Sequence, residues 1–452
     1  MTVHGRKFGR RGFVRGAGTG VALFTIVPRH VLGGPGQKAP SDKISIAGIG
    51  VGGRGAHDIN AVSGENIVAL CDVDDKRAAG TYKKHPKAKT FRDFRQMLDE
   101  VHAQIDAVVV GTPDHIHAVA CMNALRRGKH VYCEKPLAHS IGEVRALRKA
   151  AAEAKVVTQL GNQGHSDERI RMLCEWVWDG AIGPVKEVHA ACDAFKNVYC
   201  QIDKLPELEK KHDVPEHLAW DLWLGPVKQR PYNPVYVPWN WRGWMPFGTG
   251  AIGDWVCHVV DPSFWALDLG APSTVLSEPK DYDPRKHADV YPPANKVTYE
   301  FPAKGKRGPV TLCWYDGNAT IPKPEMLEEN RKVPGTGAVL IGEKGGISHG
   351  SHGAGGARIF PESVMRDYKQ PDKTIPRVKG HHQDWLDAIR EGRQSSSNFD
   401  YGGPLSELAL LGAIALRFPG QKLQWDGEKA RFTNCSEANA HVAPPYREGW
   451  SL

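Results

Sequence analysis

Nine cysteines are scattered through 452 residues without a single CxxC pair, which argues against zinc ribbons and dithiol redox motifs built on that spacing. Their number is odd and several lie in apolar runs, so most read as buried thiols. Cys192 and Cys200 are the pair an oxidising compartment would be expected to join. No metal is expected: His349 and His352 share a glycine-rich loop and His381 adjoins His382, but neither pair has partners at metal-ligand spacing. No internal repeat, no low-complexity tail and no apolar run of about 20 residues is present, so no membrane span is expected after processing. Acidic residues are absent from the first 30 positions, which carry Arg6, Lys7, Arg10, Arg11, Arg15 and Arg29. These account for most of the net charge of +8. The remainder is close to neutral, and a nucleic-acid-binding face is not expected.

That basic start has another reading. Gly9-Arg10-Arg11-Gly12-Phe13-Val14-Arg15 precedes an uncharged run from Gly16 to Val27, short enough for a signal-peptide core. Paired arginines with Phe two places on resemble a twin-arginine export signal. Residues 1–40 are therefore read as signal and linker, with processing between Gly33 and Ser41. The expectations that follow are the twin-arginine machinery as a partner and a periplasmic location.

The strongest positive feature is Ile44 to Gly55. Gly48, Gly50 and Gly53 fill the GxGxxG pattern between a predicted strand and a predicted helix, the context of a dinucleotide site. The first glycine permits the turn, the second lets backbone approach a pyrophosphate, and the third allows the helix to pack on the strand. The helix N-terminus adds free N–H groups. Asp72 ends the next strand about 20 residues on, where a carboxylate meets the ribose hydroxyls and repels a 2′-phosphate. NAD is expected over NADP, with Arg54 and Arg77 the residues able to meet a 2′-phosphate.

From 41 to 164 strand and helix alternate, with predicted strands at 44–49, 66–70, 105–110, 130–133 and 156–160 and helices at 56–62, 94–101, 116–127 and 141–154. The uninterrupted Ala107-Val108-Val109-Val110 suits a parallel sheet buried on both faces. The fold class is α/β: a doubly wound domain, then a second α+β domain over 165–452. In that second part a helix is expected near 167–178, strands at 185–191, 296–301, 310–315 and 338–341, a mobile loop at 350–356, and helices at 383–390 and 405–417. Few helices intervene between the strands, so its large, open sheet is expected to be mainly antiparallel.

Three motifs in this order, the glycine loop, Glu134-Lys135-Pro136 after a sheet strand, and Asp254-Trp255-Val256-Cys257-His258, resemble the Gfo/Idh/MocA family of NAD(P)-dependent oxidoreductases. The resemblance runs from about Lys43 to the C-terminus. Lys135 falls at the strand end where doubly wound folds bind ligands, placed to carry a substrate hydroxyl proton. Asp254 and His258 share a helix face, with Asp261 close to the same stripe. The resemblance implies catalytic roles for Lys135, His258 and Asp254, the carboxylate orienting the imidazole or binding a hydroxyl. It also implies cofactor contacts from Arg54, Thr112, Asp114, His117, Glu134 and Lys135, Asp114 being equally suited to capping its helix and His117 to stabilising its loop rather than to acid-base work. Gln163 and His165 are candidates to reach the substrate. Trp239, Trp241 and Trp244, interleaved with Asn240 and Arg242, suit a carbohydrate wall, with Trp241 and Arg242 as the binding candidates, although indoles also fill cores.

The expected activity is hydride transfer between NAD(H), carried tightly bound, and a sugar, polyol or glycoside carbon. The alternatives are a redox-neutral, NAD-dependent glycosidase or lyase working through a transient keto-sugar, and a non-catalytic dinucleotide-binding protein. By resemblance, a homo-oligomer is expected.

Overall fold

Strands β1 (Ser45–Ile49), β2 (Asn66–Cys71), β3 (Lys89–Phe91), β4 (Ala107–Val110), β5 (His130–Cys133) and β6 (Thr158–Leu160) form one sheet in the order β3-β2-β1-β4-β5-β6. Every neighbouring pair is parallel. The computed structural model describes residues 42–452, so the twin-arginine segment expected at the N-terminus lies outside the described residues. All four residues of β4 are buried, as required of a strand covered by helices on both faces. Strand order reverses at β1 and β4, and a doubly wound sheet opens its crevice there, at the strands' C-terminal ends.

The helices Phe94–Val101 and Ile141–Ala154 have the bounds their periodicity predicts. Ser140 and Glu143 close a capping box on the second of them. The helix Asp75–Lys84 and strand β3 carry no such signal. That helix buries only Ala78 and Thr81, so it has no apolar stripe to read.

Nine strands make the second sheet: β7 (Val185–Cys192), β8 (Thr274–Lys280), β9 (Ala294–Phe301), β10 (Val310–Gly317), β11 (Gly337–Gly342), β12 (Gly346–Gly350), β13 (Arg358–Phe360), β14 (Leu423–Asp426) and β15 (Arg431–Phe432). Their order is β13-β12-β11-β7-β10-β9-β8-β14-β15. The β7 and β10 pair is parallel and the others are antiparallel. Residues from the helices Glu168–Trp178, Gly250–Val259 and Phe399–Ala415 share a core with this sheet and with the first domain.

Ile44–Leu452 is one compact unit. The helix His381–Glu391 returns to the first sheet, where Trp385, Leu386 and Ala388 join Ile46, Val109 and Tyr132. The nine cysteines are free thiols, so Cys192 and Cys200 are not joined. Among the described residues no helix is long and apolar enough to cross a membrane.

The turn into the first helix depends on bare backbone. A Cβ on Gly55 would lie 1.8 Å from the Gly50 carbonyl oxygen, with Gly111 behind it, and backbone on both sides cannot yield. Gly55→Ala is therefore expected to cost at least about 2 kcal/mol in urea denaturation. Gly64→Ala, where nothing lies within 4 Å, is expected to stay within about 0.5 kcal/mol of the parent. Equal stability of the two variants would show that the close approach is dispensable.

Candidate functional site

A cleft with a cavity volume of about 460 Å³ runs along the C-terminal edge of the first sheet. At one end Gly50 holds φ +74, and a Cβ there would lie 2.7 Å from the Thr112 backbone nitrogen. The Asp72 carboxylate accepts from the Gly52 N–H at 2.8 Å and the Asp74 N–H at 3.0 Å. Burial raises its pKa. Thr112 also lines the cleft, and its hydroxyl is buried without a partner in the protein. Backbone kept free of side chains, a carboxylate beside it and an unpartnered hydroxyl suit the pyrophosphate and ribose of a dinucleotide.

Not every expected glycine faces this space. Gly48 and Gly53 do not line the cleft, whereas Gly52 does. A Cβ on Gly48 would strike Val51 and Ile59 at 2.6 and 2.8 Å, so Gly48 serves helix-on-strand packing. Gly53 holds φ +55 against the Arg77 guanidinium. Arg77 lines the cleft. Arg54 also lines it but is held by Glu134 at 3.2 Å and Asp58 at 3.0 Å.

The loop after β4 splits its roles. Asp114 lines the cleft yet does not cap its own helix. Its carboxylate accepts from the Thr249 N–H at 3.1 Å and hydroxyl at 2.6 Å, which fixes the start of the helix Gly250–Val259. Burial pushes this carboxyl up to about 6. His117 does not reach the cleft. It is 1% exposed, with Nδ1 2.7 Å from the Pro136 carbonyl oxygen and Nε2 2.9 Å from that of Thr112. It ties two loops together, because its ring is wedged between backbone carbonyls on either side and its one N–H donates to one of them.

At the other end Lys135 meets the second domain. Its ammonium donates to the Asp254 carboxylate and, at 2.8 Å, to the Asp254 backbone oxygen. Arg242 Nε donates to the second carboxylate oxygen at 3.2 Å, and Tyr199 donates its hydroxyl to the same atom. Burial would raise the Asp254 carboxyl, but Lys135 and Arg242 outweigh it and hold it well below the usual carboxylate range. Asp254 is thus a permanent anion.

His258, one helical turn on, lines the same cleft. Its expected orientation by Asp254 is not found, because Lys135, Tyr199 and Arg242 take the carboxylate. Its Nδ1 is buried without a partner. The ring instead stacks on His352, centroids 4.0 Å apart and planes at 22°. Burial, then Lys135 and His352, hold the His258 pKa well below 6.5. His352 lines the cleft and is the residue that sequence reasoning missed. Its loop, expected to be mobile, is closely packed: a Cβ on Gly164 would lie 2.2 Å from the Gly353 nitrogen.

Beside Lys135 lies a buried acid cluster. Gln163, which lines the cleft, donates to Glu134 Oε1 at 2.6 Å, and Arg54 donates to the same oxygen. Burial and the Asp58 carboxyl push Glu134 up to about 7. Burial pushes Asp58 up to about 6. His165 does not line the cleft. It is stacked on Trp265 at 4.3 Å with Nδ1 3.1 Å from Asp261, because Asp261 begins a new helix, Asp261–Ala266, turned towards it. Trp241 and Arg242 line the cleft while Trp244 is wholly buried. The indole row thus divides between wall and core.

Residues 43–162 match the Gfo/Idh/MocA oxidoreductase family with its NAD-binding Rossmann fold, and residues 171–307 match that family's C-terminal α/β domain. An inositol 2-dehydrogenase of Rubrobacter xylanophilus is 32% identical over 152 residues, 32% of this chain and 43% of the relative. A levoglucosan dehydrogenase of Pseudarthrobacter phenanthrenivorans is 24% identical over 210 residues, 46% of this chain and 44% of the relative. The matched segments thus span less than half of either relative. The solved structure of an inositol dehydrogenase homolog from Azotobacter vinelandii, complexed with NAD+, superposes with a TM-score of 0.56 at 14% identity, covering 86% of this chain and 99% of that one. It shows the same fold. With both family domains matched in order over more than half its length, the chain belongs to the Gfo/Idh/MocA oxidoreductase family.

Proposed function

We propose that the protein is an exported, NAD-dependent oxidoreductase acting on a hydroxyl-bearing carbon of a sugar, polyol or glycoside. The observation that carries this reading is the Lys135–Asp254 pair at the end of β5, in the same cleft as the glycine turn and Asp72. The dehydrogenases of inositol and levoglucosan among the relatives support the substrate class. The Arg10-Arg11 segment supports export.

A nicotinamide dinucleotide bound along this cleft supplies a hydride acceptor or donor. The bare backbone at Gly50 and Gly52 would leave room for its phosphates and Asp72 would meet its ribose, where the carboxylate favours NAD over NADP. The protein's own residues manage the proton. In reduction the Lys135 ammonium gives a proton to the carbonyl oxygen as the carbon gains hydride, and in the oxidising direction Nζ, having first released a proton to solvent, takes the hydroxyl proton as the carbon loses hydride. Asp254, anchored by Arg242 and Tyr199, fixes the position of Nζ. His258 presents a neutral imidazole to the same cleft.

Lys135→Met is expected to lower turnover by about 10²- to 10⁴-fold with nucleotide affinity retained, read from nicotinamide absorbance and calorimetry. A variant keeping most of its activity removes Lys135 from the mechanism. A redox-neutral glycosidase or lyase is the second reading, favoured by His352, since one hydride transfer needs a single proton-transfer group and the His258–His352 pair adds two bases. Repeated cleavage of an aryl glycoside by the parent protein, without added nucleotide or acceptor, would select it.

Glu134 gives a pH signature. The folded protein keeps its proton up to about pH 7, whereas the unfolded chain releases it near the ordinary value of 4.5. Between these limits the folded state holds more protons, so this group's contribution to stability is lost as pH rises. In Glu134→Gln the urea midpoint is expected to fall less between pH 4.5 and 7 than in the parent. An identical fall in both proteins would mean that Glu134 ionises normally.

A further inference from the structure

Among the described residues, four large apolar side chains stand exposed: Trp178, Phe195, Val214 and Trp239. Two of them, Phe195 at 55% and Trp239 at 41%, line the cleft and touch edge to face, with centroids 6.2 Å apart and planes at 69°. An isolated exposed aromatic needs no explanation, but a pair at the mouth of a binding cleft is a surface awaiting a ligand.

The pair is also held in place. Phe195 has φ +51, a left-handed conformation that strains a bulky L residue and turns its ring outward where an ordinary strand end would not. Trp239 is fixed from behind by the Arg242 guanidinium, which lies 4.1 Å from its ring and 4.2 Å from that of Trp241. The same guanidinium reaches Asp254 at 3.2 Å. Phe195 in turn lies 6.2 Å from Trp255, the neighbour of Asp254. The two rings are therefore linked to the proton-transfer pair through one guanidinium, and through the indole beside Asp254, in one cleft.

We infer that Phe195 and Trp239 form a subsite for a second ring, so that the substrate is a glycoside whose aglycone, sugar or aryl, stacks there while the adjoining sugar reacts at Lys135. The inference rests on the proposed carbohydrate chemistry and narrows it from free sugars and polyols to glycosides. Stacking suits both ring types, since an indole face accepts the C–H face of a pyranose as readily as an aryl ring.

The test measures binding separately from turnover. Calorimetry on the full-length protein with saturating NAD compares methyl with p-nitrophenyl glycosides of glucose, galactose and mannose in both anomers, and with the disaccharides cellobiose and lactose. At least one p-nitrophenyl glycoside or disaccharide is expected to bind about tenfold more tightly than its methyl counterpart. In Trp239→Ala, and in Phe195→Gly, which tolerates the positive φ, that ratio is expected to fall below about threefold. Trp178→Ala, exposed but away from the cleft, is expected to keep it. A gain for p-nitrophenyl glycosides alone assigns the subsite to aryl aglycones, and a gain for disaccharides alone assigns it to a second sugar. Equal affinities within every pair, binding by none of the ligands, or a ratio unmoved in both variants overturns the inference; if the variants also change the oligomeric mass by light scattering, the rings are a subunit contact. Ligands that bind in the expected ratios but are never oxidised count against the oxidoreductase reading alone.

Discussion

The Asp254 carboxylate is the joint on which the site is assembled. It sits on a helix of the second domain but is claimed by Lys135 from the first, by Arg242 from the tryptophan-rich segment and by Tyr199 from the chain following β7. A largely buried anion cannot stand alone, and removing one partner of such a cluster typically costs about 3–5 kcal/mol. Two cations and a hydroxyl compensate it here. Electrostatic necessity therefore fixes the position of the helix Gly250–Val259 relative to β5. Asp114 secures the same helix at its start through Thr249, so both ends of one turn-and-a-half of helix are registered against the first domain.

What could be read in the sequence is what short-range pattern controls. The glycine turn, the valine strand, the capped helix at 141–154 and the lysine at the strand end are local, and each is where its pattern puts it. Close approach is not local. Gly55 matters because Gly50 of its own turn and Gly111 of the loop after β4 both crowd it, and GxGxxG counting assigned its work to Gly53. His352 comes from a hairpin loop more than two hundred residues beyond Lys135, with no spacing to tie it to His258. His165 shows the opposite error: its residue type suggests a substrate contact, yet Asp261 and Trp265 hold it away from the cleft, whereas His117 ties two loops together, one of the two roles expected of it. The edge strands β13 and β15, of three and two residues, are too short to carry an alternating signal.

At the wall of the cleft, which Glu134 and Arg54 line, Glu134 and the buried Asp58 place two carboxyl groups beside the single guanidinium of Arg54. One cation cannot fully offset two anions at low dielectric, so the pair holds a proton near neutrality. His382 lies 3.1 Å from Asp58 and stacks on Tyr132 at 4.6 Å. Burial keeps His382 neutral, with its pKa lowered to about 4. This wall is therefore a hydrogen-bonded network with a variable proton count, at the loop that presents Lys135.

The return of the helix His381–Glu391 to the first sheet also bears on how the chain is made. Trp385 completes a hydrophobic cluster begun by Ile44 and Ile46, and Gln159 donates to the His381 backbone oxygen across 222 residues of sequence. A ribosome delivers the six-stranded sheet long before it delivers its cover. Until the chain has grown past Glu391 that face of the nucleotide-binding domain stays open to solvent, and its closure must wait for a contact of very high sequence separation. Closure of that face is thus gated by the last seventh of translation.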